Sequence, residues 1–507
     1  MTSYKISFFM AFLFIGGMPY LFSQKEDYVW MLGFNNKVNS NDSLFGTNII
    51  DFHSGKIRLT ERRDFISKFD RANASICDSL GNLVCYTNGL EIYNNKHEII
   101  ANGNGINPGE FHDNYKDFGY NLNQGTIILA WPNKKGVYVL FHAIETLEDD
   151  SFYLGYDLLH TVIDMNKLNG KGFVTSKNMS FFHDTICPVG NFTACRHANG
   201  RDWWLLFAEW NSNRMHRFLF DPSGIHHIGM QELPHILYSV FGQTKFSPNG
   251  LKYLTFYFTD FGYRELHLLD FDRCSGLLSD HKRFLYPYTN SIGTGCEISE
   301  NSRFLYLFMG TEVRQIDLSD PSTYSKGEVI LVTDKYGWPF EFFYSMGARA
   351  PDGKIYFNST NTSSTLNVIH HPNKKSSACE IKPHDFPILF NRTMVNFPNF
   401  NLGRMIGSAC DTIGIVSVKE VQNHDTHEMM IYPNPSYDDI NLELWNRDKN
   451  ISEITIMDIQ GKVIRHETNQ KTTFKFKINI SDLSSGLYLV KVKDQHGKTY
   501  SGKMVKN

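Results

Sequence analysis

The 507-residue chain lacks the long apolar runs and the charge imbalance that indicate a membrane-spanning or nucleic-acid-binding protein. Downstream of the N-terminus, no run reaches the roughly 18 apolar residues of a membrane-spanning helix, so we expect no transmembrane helix. Lys and Arg number 50 against 53 Asp and Glu, and the net charge of −3 provides no general attraction for nucleic acid or an anionic membrane. We therefore expect no nucleic-acid partner.

The chain also lacks the common catalytic and phosphate-binding motifs. It contains no Gly-x-Ser-x-Gly elbow, no Gly-x-x-x-x-Gly-Lys-[Ser/Thr] loop and no complete His-Glu-x-x-His motif, since Ala101 stands where the second histidine is needed. Residues 226–227 and 370–371 are His-His pairs, but adjacent strand residues point to opposite faces and make poor joint ligands. We expect no metal centre and no cofactor. The carboxylates that remain as candidates for an acid–base pair are Asp70, Asp78, Asp270 and Asp272.

The N-terminus has the pattern of a cleaved signal peptide. Lys5 precedes a ten-residue apolar core at 6–15, and Gly16, Gly17 and Pro19 interrupt the run before polar residues follow. Ten residues are too few to span about 30 Å of hydrocarbon as a helix, so we assign residues 1–24 to a signal peptide rather than an anchor. A buried N-terminal strand is the alternative.

Export permits disulfides, and the cysteine count is even. No Cys-x-x-Cys occurs, which argues against a zinc knuckle or a thioredoxin-type site. The cysteines fall into four successive pairs: Cys77 and Cys85, Cys187 and Cys195, Cys274 and Cys296, Cys379 and Cys410. Bridges within these pairs are one interpretation, although eight cysteines allow 105 connectivities, and free buried thiols are the alternative.

The C-terminal residues 429–507 have the pattern of a separate small β domain. Apolar and polar residues alternate over 474–480 and 488–493, which is the period of a half-buried strand. Turns are predicted at Gly461 and Gly486, where we expect positive φ. A polar segment, 407–428, precedes the domain as a linker.

This C-terminal domain closely resembles the type A sorting domain of cargo of the type IX secretion system. Three segments in the family's order carry the resemblance, followed by a basic tail: 432–436 (YPNPS), 454–463 (ITIMDIQGKV), 480–490 (ISDLSSGLYLV) and 503–506 (KMVK). The resemblance implies an Ig-like β-sandwich that engages the secretion machinery, and an extracellular or surface-anchored protein. The sorting signal then includes Pro433, Asn434, Pro435, Gly461, Gly486 and Lys503. A generic β-sandwich is the alternative.

Residues 25–406 repeat one motif, a Gly- or Asn-containing turn followed by a strand rich in Tyr, Phe, Leu and Val. The six copies lie at 79–86, 133–140, 199–206, 247–254, 299–306 and 350–357. Their mean spacing of about 54 residues is typical of four-stranded propeller blades. We predict an all-β chain with a seven-bladed β-propeller at 25–406, six or eight blades being the alternatives, and one blade closed by both ends of the region.

The propeller region also resembles a propeller family found in large secreted proteins of gliding or surface-colonising bacteria. The resemblance rests on 124–129 (QGTIIL), 162–165 (VIDM), 195–204 (CRHANGRDWW) and 397–403 (FPNFNLG). It supports the fold and implies no established activity.

One cluster in this region is a candidate ligand site. Arg196, His197, Asp202 and Trp203 lie close in sequence at a predicted blade edge, where they could hold a carboxylate or a sugar by charge-assisted hydrogen bonds and ring stacking. Blade packing, with Arg196 paired to Asp202, is the alternative. The loop 105–119 contains hard oxygen ligands, so a weak structural Ca²⁺ site there competes with a plain surface loop.

Two classes of function remain open. The absence of catalytic motifs favours a binding or adhesion module, whose ligand is a surface, a glycan or a protein. The alternative is a secreted hydrolase or lyase acting on glycans, lactones or peptides. An enzyme predicts three or more ionisable side chains within hydrogen-bond reach of one another at the mouth of the central channel.

Overall fold

A computed structural model describes residues 24–34, 44–64, 68–148, 152–186, 192–237, 241–259, 262–287, 293–334, 341–411, 429–444, 448–458, 462–469 and 473–506. The chain divides into two units, 1–415 and 416–507, and each is described by itself. Residues 1–23 of the predicted signal peptide, Cys187, Gly461 and residues 412–428 of the predicted linker lie outside the described residues.

The first unit is a β-propeller, and its described strands group into seven blades of strands consecutive in the chain. Blades 2 and 3 are joined into one eight-stranded sheet, because Phe173 pairs in parallel with Ala101. Blade 1 consists of β1 (Val29–Phe34), β2 (Gly46–Asp51) and β3 (Arg58–Arg62). Blade 2 consists of β4 (Ala74–Cys77), β5 (Leu83–Thr87), β6 (Glu91–Asn94) and β7 (Ile99–Asn104). Blade 3 consists of β8 (Thr126–Ala130), β9 (Val137–Glu148), β10 (Phe152–Asp164) and β11 (Phe173–Ile186). A short helix, α1 (Glu110–Tyr115), lies in the connection between blades 2 and 3.

The other four blades follow the same four-stranded plan. Blade 4 consists of β12 (Ala194–Arg196), β13 (Trp203–Ala208), β14 (Ser212–Asp221) and β15 (Gly224–Leu237). Blade 5 consists of β16 (Phe241–Phe246), β17 (Lys252–Phe258), β18 (Tyr263–Phe271) and β19 (Leu278–Pro287). Blade 6 consists of β20 (Gly295–Ile298), β21 (Phe304–Phe308), β22 (Glu312–Asp317) and β23 (Glu328–Val332). Blade 7 consists of β24 (Tyr344–Arg349), β25 (Ile355–Ser359), β26 (Ser363–Ile369) and β27 (Ile381–Asn391).

The burial of each strand follows its position in the blade. The second strands β13 (WWLLFA) and β21 (FLYLF) are buried along their whole length, because neighbouring blades cover both faces. The outermost strands β15 and β19 expose many residues. This explains why a continuous apolar run follows each predicted turn. Among the described residues, no helix has both the length and the apolar character needed to cross a membrane.

The six predicted turns join the first two strands of blades 2 to 7. Each turn has a residue in the left-handed region just before the second strand: Gly81, Gly136, Gly200, Gly250, Ser302 and Gly353. The turn of blade 3 has a further one, Asn133. In every one of these turns except that of blade 3, the backbone N–H of the residue just before the second strand donates to the carbonyl three residues earlier, at 2.7 to 3.0 Å. The predicted period is therefore the blade repeat. We call the end of the propeller axis with these turns the turn end, and the opposite end the connection end.

Both ends of the unit contribute to blade 1, as predicted. Met394 and Val395, which follow β27, pack in one buried cluster with Trp30 and Leu32 of β1. Residues 395 and 397–399 line an axial cavity together with residues of the first strands of blades 4 to 7. The segment after β27 therefore takes the innermost position of blade 1 without forming a regular strand.

Asn396 in this segment bonds to three other blades at the axis. Its Nδ2 donates to Thr126 O (2.8 Å) and Phe192 O (2.7 Å), and its backbone N–H donates to Asn73 O (3.3 Å). Its Oδ1 accepts from Gln124 Nε2 (3.1 Å). One buried amide thus links the inner edges of blades 2, 3 and 4 to blade 1.

Two glutamines extend this network to the remaining blades. Gln124 accepts from Thr244 N–H (2.7 Å) and donates to Thr244 O (3.1 Å). Gln243 accepts from the N–H groups of Cys296 (3.0 Å) and Gly347 (3.1 Å), and donates to Gly347 O (2.8 Å). We call the buried residues Gln124, Gln243 and Asn396 the amide plug, because together their hydrogen bonds connect all seven blades at the axis.

The disulfide pattern differs from the predicted pairs. Cys274 bonds to Cys410, with Cα atoms 5.5 Å apart and a separation of 136 positions in sequence. The predicted bridges Cys274–Cys296 and Cys379–Cys410 are therefore wrong. The predicted bridges Cys77–Cys85 and Cys187–Cys195 are wrong as well, because Cys77, Cys85 and Cys195 are free.

The free described cysteines act as small apolar core residues. They are Cys77, Cys85, Cys195, Cys296 and Cys379, and all are buried. Cys77 and Cys85 lie on paired strands but not opposite each other, since Cys85 pairs with Ile76 and Cys77 with Leu83. Burial raises the pKa of Cys85 and of Cys195 to about 12, so both thiols stay protonated.

The second unit is a β-sandwich of a three-stranded and a four-stranded sheet. The first sheet consists of β28 (Met429–Tyr432), β29 (Asp439–Leu444) and β32 (Lys475–Asn479). The second consists of β30 (Ile451–Asp458), β31 (Val463–Thr468), β33 (Gly486–Asp494) and β34 (Thr499–Lys506). The alternation predicted for the strands is confirmed, because Ile478, Val490 and Val492 are buried between the sheets.

The Pro433-Asn434-Pro435 segment lies against the end of β34. Asn434 Nδ2 donates to Lys503 O (2.7 Å), and Asn434 Oδ1 accepts from Val505 N–H (2.8 Å). The start of the predicted sorting signal therefore contacts its basic tail directly. The expectation of positive φ at Gly486 is wrong, because Gly486 is the first residue of β33 and pairs with Lys506 in the ladder.

We expect Asn396→Ala to lower the free energy of unfolding by about 2–4 kcal/mol, because buried carbonyls lose their donor and each unpaired buried group costs about 1–3 kcal/mol. Urea denaturation followed by tryptophan fluorescence measures this. Asn399→Ala is the matched control, since Asn399 is half-buried and its Nδ2 donates only to Pro248 O. Equal losses in the two variants would contradict a special role for the plug.

Cys410→Ser is expected to lower the free energy of unfolding by about 5 kcal/mol, because the bridge removes chain entropy from the unfolded state across a long loop. Denaturation with and without reductant measures this: reduction destabilises the wild type and leaves Cys410→Ser unchanged. Peptide mapping without reduction checks the connectivity, and a bridge from Cys274 to any other cysteine would contradict it.

Candidate functional site

The four predicted ligand residues lie together at the turn between β12 and β13 of blade 4. They are Arg196, His197, Asp202 and Trp203. The Arg196 guanidinium lies 4.0 Å from the centroid of the Trp203 ring, and its Nη1 donates to Arg201 O (2.9 Å). Burial lowers the pKa of Arg196 to about 10. Trp203 is completely buried, so its ring packs the blade rather than facing solvent.

The other two predicted residues also contact protein groups. Asp202 binds Arg201, with Nε and Oδ1 2.6 Å apart, and not Arg196. His197 Nε2 lies 3.1 Å from Cys274 O. Burial lowers the pKa of His197. The cluster is thus joined to the loop that carries the disulfide, and a role in ligand binding stays a prediction.

The loop proposed for calcium contains α1 and a small aromatic core. The Phe111 ring lies 4.5 Å from that of Tyr115 and 5.0 Å from that of Tyr120. His112 Nδ1 contacts Asp113 Oδ1 at 3.2 Å on the surface. The aromatic residues therefore anchor this loop to the connection end, and the calcium site stays a prediction.

A cavity of about 40 Å³ lies at the turn end of the axis. Its charged residues are Asp27, Lys245, Glu297 and Arg349. Lys245 Nζ lies 2.9 Å from Glu297 Oε2. Burial raises the pKa of Asp27 to about 6, and the charge of Arg349 opposes this rise. A water molecule needs roughly 10–15 Å³ of such space, so the cavity suits a few waters rather than a sugar ring.

A second group of charges lies at the connection end. Asp70 and Arg71 precede β4, and Arg392 follows β27, so the topology brings them to one end of the axis. Arg392 Nη1 lies 2.9 Å from Asp70 Oδ1. Burial raises the pKa of Asp70, while Arg392 and Arg71 act in the opposite direction. Burial also lowers the pKa of Arg392.

Arg71 lies beside an aromatic surface rather than a carboxylate. Its guanidinium carbon is 5.4 Å from the centroid of the Phe241 ring. Tyr115 and Trp210 are half-buried and pack on the same buried cluster as Phe241. Among the described residues, no carboxylate oxygen lies within 4 Å of the Arg71 side-chain nitrogens. We call Arg71, Tyr115, Trp210 and Phe241 the cation–aromatic cluster.

Sequence reasoning missed this cluster, apart from naming Asp70 as a candidate acid. Its members are spread over 171 positions from Arg71 to Phe241 and follow no motif spacing. The available signal is that each lies in a connection between strands, or at the start of a strand, at the same end of the predicted blades. At the turn end, Lys245 pairs with Glu297. At the connection end, Asp70 pairs with Arg392, and Glu209 contacts both Arg214 and His216.

Comparison with known proteins bears mainly on the second unit. Residues 430–507 match the family described as the secretion system C-terminal sorting domain. No curated protein sequence matches the chain. Among solved structures, the chain is similar to the periplasmic gluconolactonase of Pseudomonas aeruginosa, with 9% identity, a TM-score of 0.35, and coverage of 95% of this chain and 96% of that one.

The chain is also similar to a protein from Lactobacillus plantarum, with 10% identity, a TM-score of 0.35, and coverage of 89% of this chain and 99% of that one. A putative 6-phosphogluconolactonase from Bacteroides fragilis has 13% identity and a TM-score of 0.29, with coverage of 61% and 94%. Likenesses of this size carry no argument about activity. The sorting domain does indicate the route of export. The protein is a cargo of the type IX secretion system, and its route leads through the outer membrane to the cell surface or the medium.

Proposed function

We propose that the propeller is a binding module that recognises a carboxylated glycan at the connection end of its axis. The observation that carries the proposal is Arg71, a half-buried cation that has an aromatic neighbour, Phe241, but no carboxylate partner among the described residues. A guanidinium in this position gains from a bidentate contact with a carboxylate.

The neighbouring Asp70–Arg392 pair supports an anionic ligand. Asp70 is buried and pairs with Arg392, and no carboxylate among the described residues pairs with Arg71, so Arg71 is the extra positive charge of these three residues. A ligand carboxylate would neutralise that charge in a partly desolvated setting, where a charge-assisted hydrogen bond is stronger than in bulk water.

The aromatic members of the cluster support a sugar rather than a small carboxylic acid. Tyr115, Trp210 and Phe241 are half-buried, so each keeps part of its apolar side chain accessible. Aromatic rings stack on the apolar faces of sugar rings, and Arg71 would hold the carboxylate beside them. A uronic acid offers both features in one residue.

A hydrolase or lyase remains the alternative, and two observations favour binding over it. The cavity on the axis itself is too small for a sugar ring, at about 40 Å³. At the connection end, the buried carboxylate of Asp70 is already engaged in an ion pair with Arg392.

Arg71→Ala is expected to weaken binding of galacturonic acid oligomers by about tenfold to a hundredfold, because a hydrogen bond to a charged group contributes about 1.5–3 kcal/mol. Titration calorimetry on the purified protein measures this. Arg58→Ala is the matched control, since Arg58 is exposed on the outer strand of blade 1. Neutral glucose oligomers should bind much more weakly. Unchanged binding by Arg71→Ala, or equal binding of neutral oligomers, would contradict the proposal.

The exported form is expected to lack both ends of the chain. Intact mass of the protein recovered from the surface or medium of its host should show loss of residues 1–24 and of about the last 80 residues. A variant truncated after residue 428 should stay inside the outer membrane, because it lacks the sorting domain. Secretion of this truncated variant would contradict the role of the domain in this chain.

A further inference from the structure

Three potential metal ligands converge where blades 3 and 4 meet. Asp184 lies on β11, Glu209 follows β13, and His216 lies on β14. One ligand atom from each lies within 4.8 Å of the other two. Ligands about 2.0–2.2 Å from a common ion are roughly 3–4 Å apart, so a movement of about 1 Å closes the set around a metal.

The orientation of His216 suits a ligand. Its Nε2 lies 2.9 Å from Glu209 Oε1, and its Nδ1 lies 3.1 Å from His227 Nε2. The Phe182 ring packs against both imidazoles, at 4.5 Å from His216 and 5.1 Å from His227. His227 can accept the Nδ1 proton of His216, which leaves the Nε2 lone pair directed at the cluster, as metal-bound histidines require.

The orientation of Glu209 also suits a metal ligand. Arg214 binds its Oε2, so Oε1 is the oxygen that faces His216. Glu209 and His216 are buried while Asp184 is exposed, so an ion would reach the site from the solvent side and keep room for water ligands.

Blade 5 repeats part of this arrangement but lacks the second carboxylate. Its His267 contacts Glu265 (3.1 Å) and His281 (2.7 Å), and Arg283 binds Glu265. In place of a second carboxylate, Tyr257 OH lies 2.8 Å from His267 Nε2. Among the described residues, the group in blades 3 and 4 is the one where three such ligands meet.

We infer that Asp184, Glu209 and His216 bind one divalent first-row transition-metal ion, while His227 accepts the Nδ1 proton of His216 and orients its ring. One imidazole and two carboxylates, with positions left for water, form a donor set that accepts Zn²⁺. The site is separate from the cation–aromatic cluster and does not depend on the proposed glycan.

Zn²⁺ itself is the probe. The full chain, purified without a polyhistidine tag and stripped with chelator, is titrated with Zn²⁺ by calorimetry, and bound metal is counted by mass spectrometry. The wild type should bind one more Zn²⁺ than His216→Gln, and Zn²⁺ should raise its unfolding temperature more than that of the variant.

Asp184→Asn keeps the test valid where His216→Gln disturbs the buried core, because Asp184 is exposed. It should weaken Zn²⁺ binding at least tenfold. His183→Gln is the matched control, since exposed His183 precedes Asp184 on the same strand and contacts Asp157 instead. The inference is overturned if the wild type binds no Zn²⁺, if Asp184→Asn binds it as tightly as the wild type, or if His183→Gln loses as much as Asp184→Asn.

Discussion

The propeller depends on how the polar backbone is satisfied at its axis. The innermost strands of a propeller turn their edges toward the axis, where unpaired peptide groups are costly to bury. Here three amide side chains meet that requirement. Asn396, Gln124 and Gln243 each bond to backbone groups, and the groups reached belong to blades 2 to 7. Asn396 comes from the segment that completes blade 1. Closing the ring therefore also brings in the side chain that bonds to the buried backbone groups at the axis.

The amide plug limits where ligands can bind. Propellers often use the central channel as a binding site, but here buried amides that bond from blade to blade lie at the axis, which favours sites away from its middle. The turn end is enclosed by residues 397–399 and keeps a small charged cavity. The connection end keeps Arg71 beside half-buried aromatic side chains. The accessible chemistry therefore comes from connections between strands, which are free to vary without disturbing the blades.

The features that could be predicted from the sequence are those that residues close together in the chain determine, such as the turns and the strands after them. The turns repeat because each needs one residue with positive φ at the same place, and a strand pattern follows each turn. The Cys274–Cys410 bridge and the cation–aromatic cluster could not be predicted in this way, because their members are brought together by closure of the ring. The Arg196 cluster could be predicted because its residues are neighbours in sequence. Neighbours in a tight turn often bind one another rather than a ligand, as Arg201 and Asp202 do.

Glu209 and Trp210 place the two proposed sites on consecutive residues. The turn between β13 and β14 directs Glu209 toward His216 and Trp210 toward the aromatic cluster of the connection end. An ion bound by Glu209 would fix this turn, and a fixed turn would hold Trp210 with less loss of conformational entropy on ligand binding. A metal at the blade edge would then strengthen glycan binding without touching the glycan. If the two sites are coupled through this turn, removal of the ion lowers the affinity for the glycan. The glycan in return raises the affinity for the ion by the same factor. If the sites act separately, removal of the ion leaves the affinity for the glycan unchanged.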